Sequence, residues 1–314
     1  MNARVDFPAL VECVRARPLL GTLVEIAASG TDADIVQLAI SNAFDAVEEV
    51  HHLMSYHTDD SDISRINRDG FDHAVSVAEP TWQVLTAAAK FAAASGGLFD
   101  ITVAPTLTKL GFLPKPKNMP RISGQGNWQH VNLLTDYQVS LTRQLLIDVS
   151  GIAKGYAVDV AVAALQAAGM VAGRANAGGD LRVFGEVAQT VHVRHPAQHT
   201  QLLPIVELTT GAAATSAGYY AQRRYQGRWV TPLIHPHTRI AAGVNRSVTV
   251  IAADCMTADA LTKVVHADPV LAASVLQQFG ARAMMLETDA ATGACKVFDT
   301  SSVSAPNWRA RVMA

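Results

Sequence analysis

The sequence predicts an α+β fold in which largely antiparallel sheets are flanked by helices. Segments with strand and helix periodicity alternate irregularly along the 314 residues, and short turns join many of the predicted strands. A doubly wound parallel sheet would instead need a long crossover connection between neighbouring strands. The length allows one large domain or two lobes. A proline-rich connector at 112–120 is the expected exposed loop, or the lobe boundary near 112–125.

The first half of the chain is predicted to contain a strand, two long helices and a small meander. Apolar periodicity and capping residues give, in order, a strand at 19–28, a helix at 32–53 begun by Asp32 or Asp34, a loop rich in turn formers at 54–67, a helix from about Pro80 to Ser95, and strands near 130–134, 137–141 and 144–149.

The second half is predicted to begin with an alanine-rich helix from about Ala153 and to continue mainly as strands. These are strands at 181–185, 190–194, 203–208 and 212–216, an arginine-rich hairpin at 222–229, a strand at 248–252, helices from Asp259 to about Ala267 and at 269–279, and strands at 282–287 and 295–298.

Composition narrows the possible partners and location. A net charge of −2 gives no basic surplus for nucleic acid, and 6% aromatic residues leave few stacking platforms for single strands. No apolar run is long enough for a membrane span, and the N-terminus lacks the features of a signal peptide. Cys13, Cys255 and Cys295 form no C-x-x-C pair. We therefore expect a cytoplasmic protein whose cysteines are buried apolar side chains.

The segment Asp148–Asp159 is the most informative motif. It places a carboxylate, a small-residue turn, Lys154 and a helix start within a few positions, and Gly151 and Gly155 are expected to let the backbone approach a ligand closely. The free N–H groups of such a helix start attract an anion. A lysine in a first turn opposes the helix dipole, which favours this anion site over an ordinary turn with a solvated lysine. A second small-residue turn at 176–180 follows the same helix.

A second motif, residues 254–263, combines hydroxyls, a carboxylate and an ammonium on one helix. Thr262 and Lys263 follow Asp259 by three and four positions, so the three side chains can face one direction. Hard oxygen ligands of this kind suit Mg²⁺. The alternative is a helical ion pair between Asp259 and Lys263, with Thr257 as the N-cap.

Other polar clusters are less specific. Asp100 follows Phe99 at a turn, where the ring can lie against a flavin or purine or can simply pack in the core. The clustered histidines and the Arg223–Arg224 pair are interpreted as solvated side chains rather than zinc ligands or a binding face. These histidines are His51, His52, His57, His235 and His237.

Several of these segments, taken in order, make the chain resemble the FAD:protein FMN transferase family, also called ApbE. The matching blocks span nearly the whole chain and are Leu20-Gly-Thr22, Met54-Ser55 through 61–67, 97–102, 148–159, 176–180, Thr215-Ser216 and 258–261. Six or seven blocks in the right order are far more specific than any single block.

The resemblance implies a T-fold-like α+β protein in which residues 1–314 form one catalytic domain that binds FAD between lobes, with Mg²⁺ at the pyrophosphate. It implies transfer of FMN from FAD to a threonine or serine of a target flavoprotein, with release of AMP. The residues implied to contact FAD are Leu20, Tyr56, Leu98, Phe99, Asp100, Asp148, Lys154 and Leu233. The implied metal ligands are Gly151, Asp259 and Thr262, and the implied catalytic residues are Asp259 and His235.

Three positions differ from the family pattern. Pro232 replaces a histidine, His235 replaces an aspartate, and Lys263 stands where the family places its metal-binding threonine. His235 is either a relocated base or a loop residue, and Lys263 either repels a metal ion or takes the place of one cation. The alternative functions are a FAD-binding protein without transfer and a FAD pyrophosphatase. Replacement of Asp259 by alanine is expected to abolish turnover and to spare the fold.

Overall fold

The computed structural model describes residues 10–115, 126–194, 202–243, 245–289, 295–300 and 309–312. The helices in these ranges are α1 (Ala33–Met54), α2 (Asp62–Asp69), α3 (Glu79–Ala94), α4 (Ala104–Leu110), α5 (Ala153–Ala167), α6 (Cys255–Ala267) and α7 (Pro269–Gln278). The strands are β1 (Val11–Leu19), β2 (Thr22–Gly30), β3 (Val75–Ser76), β4 (Val131–Leu133), β5 (Gln138–Leu141), β6 (Ala172–Ala177), β7 (Asp180–Phe184), β8 (Gln189–Arg194), β9 (Leu202–Leu208), β10 (Gly211–Ala217), β11 (Arg223–Tyr225), β12 (Arg228–Val230), β13 (Arg246–Ala252), β14 (Arg282–Thr288), β15 (Cys295–Asp299) and β16 (Arg309–Val312).

Antiparallel pairing organises the strands. Among the described residues, nine strands form one sheet in the order β1-β2-β6-β7-β10-β13-β14-β15-β16. Every neighbouring pair in it is antiparallel. A smaller sheet has the order β3-β5-β4, and β8–β9 and β11–β12 are separate hairpins. The predicted α+β class with largely antiparallel sheets is therefore confirmed.

Helices α1, α5 and α6 pack side by side over the large sheet. The buried residues of α1 recur at helical spacing, from Val36, Ala39 and Ile40 to Val47 and Val50, and α1 packs on α5. Helix α5 packs in turn on β6 and β7, and α6 packs on β10 and β13. Among the described residues, no helix combines the length and apolar composition that a membrane crossing requires.

The loop predicted at 54–67 is wrong in its second half, because α2 begins there. The Ser61 hydroxyl accepts a hydrogen bond from the Ser64 N–H at 3.1 Å and caps the helix. Ile63 and Ile66 are fully buried on its inner face. Serine and aspartate favour turns and helix starts equally, and here the buried isoleucine pair selects the helix.

The strand predicted at 144–149 is also wrong, although the segment is extended. Instead of a strand ladder, the buried side chain of Asn67 accepts from the Ile147 N–H at 2.7 Å and donates to the Ile147 carbonyl at 2.9 Å. The Asp148 N–H donates to the Ile101 carbonyl at 2.8 Å. One asparagine from α2 therefore satisfies the backbone that leads into the glycine turn.

Helix α6 begins four residues before the predicted Asp259. Its N-cap is Asp254, which accepts from the Thr257 N–H at 2.7 Å, so the predicted cap Thr257 lies inside the first turn. Asp159 of α5 accepts from the N–H groups of Cys255 and Met256, both at 2.8 Å. A carboxylate at a helix N-terminus satisfies free donors and favours the helix dipole. Asp159 thus fixes the start of α6 against α5.

Strands β1 and β6 have no counterpart among the predicted elements. The inner face of β1 carries Arg15 and Arg17, whose guanidinium groups lie over the Phe44 ring. The strand therefore lacks the alternation of apolar and polar residues that predicts a half-buried strand. Strand β6 consists largely of small residues with low strand propensity. The connector at 112–120 and the proposed lobe boundary fall largely on 116–125, outside the described residues.

Gly155 lies where α5 crosses α6, and its neighbour is protein rather than ligand. A Cβ added there would lie 2.3 Å from the carbonyl oxygen of Cys255 and 2.8 Å from Cα of Met256. Both atoms belong to the backbone and cannot turn away. The expectation that Gly155 lets the backbone approach a ligand is therefore wrong, because the absence of a side chain there lets α6 pack closely against α5.

Replacing Gly155 by alanine should lower the free energy of unfolding by about 3 kcal/mol, because the two helices would have to separate. Chemical denaturation measures this change. Ala163→Ser, at an exposed position of the same helix, serves as the control and should change stability by less than about 0.5 kcal/mol. Equal stabilities of Gly155→Ala and the wild type would contradict the close crossing.

Candidate functional site

A cleft of about 1350 Å³ opens where the β1–β2 turn, the start of α5, the β6–β7 turn, the loop at 232–243 and α6 converge. It exceeds the roughly 300–1,000 Å³ usual for small-ligand pockets. The predicted residues in its wall are Leu20, Leu98, Phe99, Asp100, Asp148, Gly151, Lys154, Leu233 and His235. Tyr56, Asp259 and Thr262 are not part of the wall. The structure thus brings most of the predicted contact residues to one cavity.

Two lysines and two aspartates alternate beside this cleft. Lys154 forms ion pairs with Asp180 and, at 3.5 Å, with Asp259, while Lys263 pairs with the other oxygen of Asp259. The lysine side chains are 31% and 22% exposed, whereas those of Asp180 and Asp259 are 1% and 0% exposed. An anion that enters the cleft therefore meets two ammonium groups, with the carboxylates behind them.

The buried charges in this cluster shift one another's protonation. Burial disfavours charge on Asp259, but Lys154, Lys263 and the Gly155 N–H outweigh that penalty and lower the pKa of Asp259. Burial and the charge of Asp259 raise the pKa of Asp180 to about 6. Burial works against the charge of Lys154 too, yet both carboxylates raise its pKa well above its ordinary value. Lys154 therefore stays protonated at neutral pH.

The expectation that Asp259→Ala spares the fold does not fit this geometry. Asp259 is fully buried and carries one interaction with each of two lysines. Its Oδ2 also accepts from the Gly155 N–H at 3.2 Å, across the α5–α6 crossing. Removing one partner of a buried ion pair leaves the other charge uncompensated. The predicted Asp259–Lys263 helical pair is present, and it is part of the core.

Hydroxyl groups complete the inner side of the cluster. Thr262 donates to the carbonyl oxygen of Asp259 at 2.7 Å, and its hydroxyl lies 2.8 Å from that of Ser216. The Lys263 ammonium donates to the same Asp259 carbonyl at 3.0 Å and to Ser216 Oγ at 3.2 Å. The Thr262 hydroxyl is therefore engaged inside the helix.

The three predicted magnesium ligands do not fit a metal ion in this arrangement. Mg²⁺ requires oxygen ligands at about 2.0–2.1 Å in near-octahedral geometry. The Lys263 ammonium occupies Asp259 Oδ1, the Thr262 hydroxyl faces a backbone carbonyl, and a Cβ built on Gly151 would lie 3.3 Å from Lys263 Cε. The Asp259 oxygens instead accept hydrogen bonds from the Lys263 ammonium.

Two further carboxylates, Asp100 and Asp148, line the same cleft. Asp148 accepts from the N–H and the hydroxyl of Ser150 at 3.1 and 2.6 Å. Asp100 accepts from the Thr102 N–H at 2.8 Å and faces Arg239 at 3.8 Å. Burial raises the pKa of both carboxyl groups. Both carboxyl groups therefore lie in the cleft wall with named hydrogen-bond partners.

The apolar residues of the predicted site have different surroundings. Phe99 is 4% exposed and packs edge-to-face on Phe91, with ring centroids 6.1 Å apart, so it is a core residue whose edge reaches the cleft. Leu20 lies in the β1–β2 turn with a positive φ of 55°. A positive φ is energetically costly for leucine, which suggests that the side chain, and not the backbone conformation, accounts for a leucine at this position. The Tyr56 hydroxyl is buried without a hydrogen-bond partner among the described residues.

His235 lines the cleft, and its hydrogen bonds define its tautomer. Its Nδ1 accepts from the N–H groups of His237 and Thr238 at 3.2 and 3.4 Å. A neutral imidazole whose Nδ1 accepts must carry its proton on Nε2. In this arrangement Nε2 is a hydrogen-bond donor, which does not fit the alternative in which His235 acts as a relocated base. Within the described residues, no three histidine, cysteine or acidic side chains are grouped to hold a metal ion.

The residues that the sequence reasoning missed in this site are Asp180, Ser216 and Arg239. Asp180 ends the small-residue turn at 176–180. Its partner, Lys154, lies 26 positions earlier in the chain, so no local pattern joins the two. The Lys154–Asp180 pair also shows that Lys154 is not a freely solvated lysine.

His266 should make the protein acid-sensitive. It is buried on α6, donates from Nε2 to the Ser216 carbonyl at 3.0 Å, and faces Arg246 and Lys263. Burial lowers its pKa to about 4, against 6.5 in the unfolded chain. The unfolded state therefore binds more protons between these values, and stability is lost as the pH falls from 6.5 toward 4.

His266→Gln keeps a donor for the carbonyl and removes this titration. The stability advantage of the wild type over the variant should shrink by about 2–3 kcal/mol between pH 7.5 and pH 4.5, as measured by urea unfolding. A difference that does not change with pH would refute the buried neutral histidine.

Known proteins share both the sequence pattern and the fold described above. The family model described as the ApbE family matches residues 20–285. A FAD:protein FMN transferase of Vibrio cholerae is 30% identical over 230 residues, covering 68% of this chain and 69% of its own length. The one from Salmonella typhimurium is 26% identical and covers 76% and 74%. The crystal structure of an ApbE protein from Thermotoga maritima superposes with a TM-score of 0.80 at 26% identity, covering 91% of this chain and 96% of its own. The chain belongs to the ApbE family.

Proposed function

We propose that this protein is a transferase that moves FMN from FAD to a threonine or serine hydroxyl of a target flavoprotein and releases AMP. The observation that carries the proposal is the pair of ammonium groups, Lys154 and Lys263, facing a cleft large enough for a dinucleotide. Relatives that bear the name FAD:protein FMN transferase support it. The catalytic domain is taken to span 1–314, and a cytoplasmic location remains a prediction from the sequence.

The transfer is a displacement at phosphorus. The acceptor hydroxyl oxygen attacks the FMN phosphorus, the bond from that phosphorus to the bridging oxygen breaks, and AMP leaves with the bridging oxygen. The hydroxyl proton passes to solvent water. Charge builds on the phosphoryl and bridging oxygens, so catalysis depends mainly on positioning and on fixed positive charge. Lys154 and Lys263 are the cleft cations that we assign to that charge, although Arg194 and Arg246 also line the wall.

The other predicted contact residues, apart from Tyr56, divide into two groups in this proposal. Leu20, Leu98, Phe99 and Leu233 supply apolar surface for the flavin or adenine rings. Asp100 and Asp148 supply carboxylate oxygens for ring or ribose donors, and their partners hold them in place. Tyr56 lies behind this wall and acts by supporting it.

His235 and the expected Mg²⁺ need revised roles. Because His235 carries its proton on Nε2, it donates a hydrogen bond to a phosphate or leaving-group oxygen rather than removing the acceptor proton. The magnesium dependence expected for Gly151, Asp259 and Thr262 has no matching set of ligands here, since Lys263 engages Asp259. In this proposal, lysine side chains supply the positive charge that stabilises the transfer.

Incubation with FAD and a flavoprotein acceptor domain tests the transfer. Intact-mass spectrometry should show the acceptor gaining one FMN for each AMP released. An acceptor with alanine in place of its threonine or serine is the control and should gain no mass. FMN and AMP formed at equal rates with and without the acceptor would instead indicate a FAD pyrophosphatase. Retention of intact FAD without any AMP would indicate a binding protein.

Replacing Leu20 by asparagine separates the role of its side chain from that of its turn. Asparagine tolerates positive φ, so the variant should be as stable as the wild type or slightly more stable. Loss of apolar contact should weaken FAD binding by roughly tenfold, as measured by isothermal titration calorimetry. Leu23→Asn, at an exposed position of the adjacent strand, is the matched control and should leave FAD affinity unchanged. Unaltered binding by Leu20→Asn would exclude this residue from the site.

A further inference from the structure

The ammonium of Lys263 has a complete set of acceptors. It donates to Asp259 Oδ1, to the Asp259 carbonyl at 3.0 Å and to Ser216 Oγ at 3.2 Å. An ammonium has three N–H donors and no acceptor, so these three oxygens satisfy it fully. Two of them belong to Asp259, which is fully buried. The charge of Lys263 is therefore held at a defined point rather than swinging on a flexible stem.

This point coincides with the expected metal position. The Lys263 stem lies against Gly151, with Cε 3.3 Å from where a Cβ of that glycine would be, and its ammonium engages the Asp259 carboxylate. We propose that the Lys263 ammonium is the fixed cation for the pyrophosphate of the bound nucleotide, in place of a divalent metal, so that this site works without one. The identity of the nucleotide as FAD rests on the proposed function.

The ammonium can reach a ligand without leaving its position. The Lys263 side chain is 22% exposed, and Lys263, Ser216 and Lys154 all line the cleft. The bond to Ser216 is the longest of the three, and the Ser216 hydroxyl keeps a second partner in Thr262 at 2.8 Å. That N–H can therefore turn to a phosphate oxygen. Charge-assisted bonds of this kind are among the strongest that a side chain makes.

Lys154 supplies a second positive charge on the other side of Asp259. The Asp259 carboxylate lies between the two ammonium groups, with Oδ1 toward Lys263 and Oδ2 toward Lys154 at 3.5 Å. Two fixed lysines give the same total charge as one divalent ion. A metal ion at Asp259 would have to displace Lys263 and would be repelled by both ammonium groups. The cluster therefore selects against the metal that its position would otherwise attract.

Manganese binding tests the proposal on the wild-type protein without any turnover. Mn²⁺ is a spectroscopic substitute for Mg²⁺, and its free six-line electron paramagnetic resonance signal disappears on binding. The wild type should leave the signal of millimolar Mn²⁺ unchanged, and its FAD affinity by calorimetry should be the same in EDTA and in Mg²⁺. Stoichiometric Mn²⁺ binding by the wild type, or loss of FAD binding in EDTA, would overturn the proposal.

Variants at Lys263 give the complementary test. Lys263→Met removes the charge at nearly constant volume and should weaken FAD binding by about 10- to 100-fold. Lys263→Thr opens the position and adds an oxygen ligand, so this variant should bind one Mn²⁺ and should bind FAD more tightly with metal than without it. Lys109→Met, an exposed lysine on α4 outside the cleft wall, is the control and should match the wild type. Thermal unfolding confirms that each variant is folded.

The outcomes separate this inference from the proposed function. Metal-independent FAD binding that depends on Lys263, with no FMN on the acceptor, would uphold the cation role and reject the transferase. FMN transfer that needs Mg²⁺, together with Mn²⁺ binding by the wild type, would uphold the transferase and reject the cation role. If Lys263→Met does not fold, the wild-type Mn²⁺ and EDTA measurements decide the question alone.

Discussion

The alternation of Lys154, Asp259, Lys263 and Asp180 is the constraint on which the rest of the site depends. Asp259 and Asp180 are almost wholly inaccessible to water, and such carboxylates are stable only beside positive partners. Those partners come from different elements, α5 and α6, which must therefore meet closely. Gly155 permits the approach, and Asp159 holds the start of α6 against α5. The close packing of α5 on α6, the capping of α6 by Asp159 and the pairing of the buried charges therefore depend on one another.

The arrangement also gives a cluster with no net charge a positive side toward the cleft. Its negative charges lie in the protein interior and its positive charges at the cleft surface, so a phosphate approaching from the cleft is nearer to the ammonium groups. The carboxylates orient both lysines before any ligand arrives, and they raise the pKa of Lys154. Preorganised charge of this kind lowers the reorganisation that phosphoryl transfer requires. Carboxylates that are commonly associated with metal sites here serve to hold lysines.

The local features of the fold could be predicted from the sequence, and its long-range contacts could not. Helix α1 and the start of α5 follow from periodicity and small-residue patterns that lie within the elements themselves. Strand β1 was missed because arginines stacked on Phe44 replace the apolar residues of its inner face. The segment 144–149 was misassigned because Asn67, 80 positions earlier, satisfies its backbone. For the site, the motifs located the cleft residues and the Asp259–Lys263 pair, but the Lys154–Asp180 pair and the Lys263–Ser216 hydrogen bond depend on tertiary contacts that spacing does not reveal.

A crystal structure of the FAD complex grown in Mn²⁺, with anomalous scattering recorded for manganese, tests the central claim most directly. The account predicts Lys263 Nζ at about 3 Å from a pyrophosphate oxygen, its contact with Asp259 preserved, and no anomalous peak beside that carboxylate. A manganese peak bonded to Asp259, with the Lys263 ammonium turned away from it, would contradict the account.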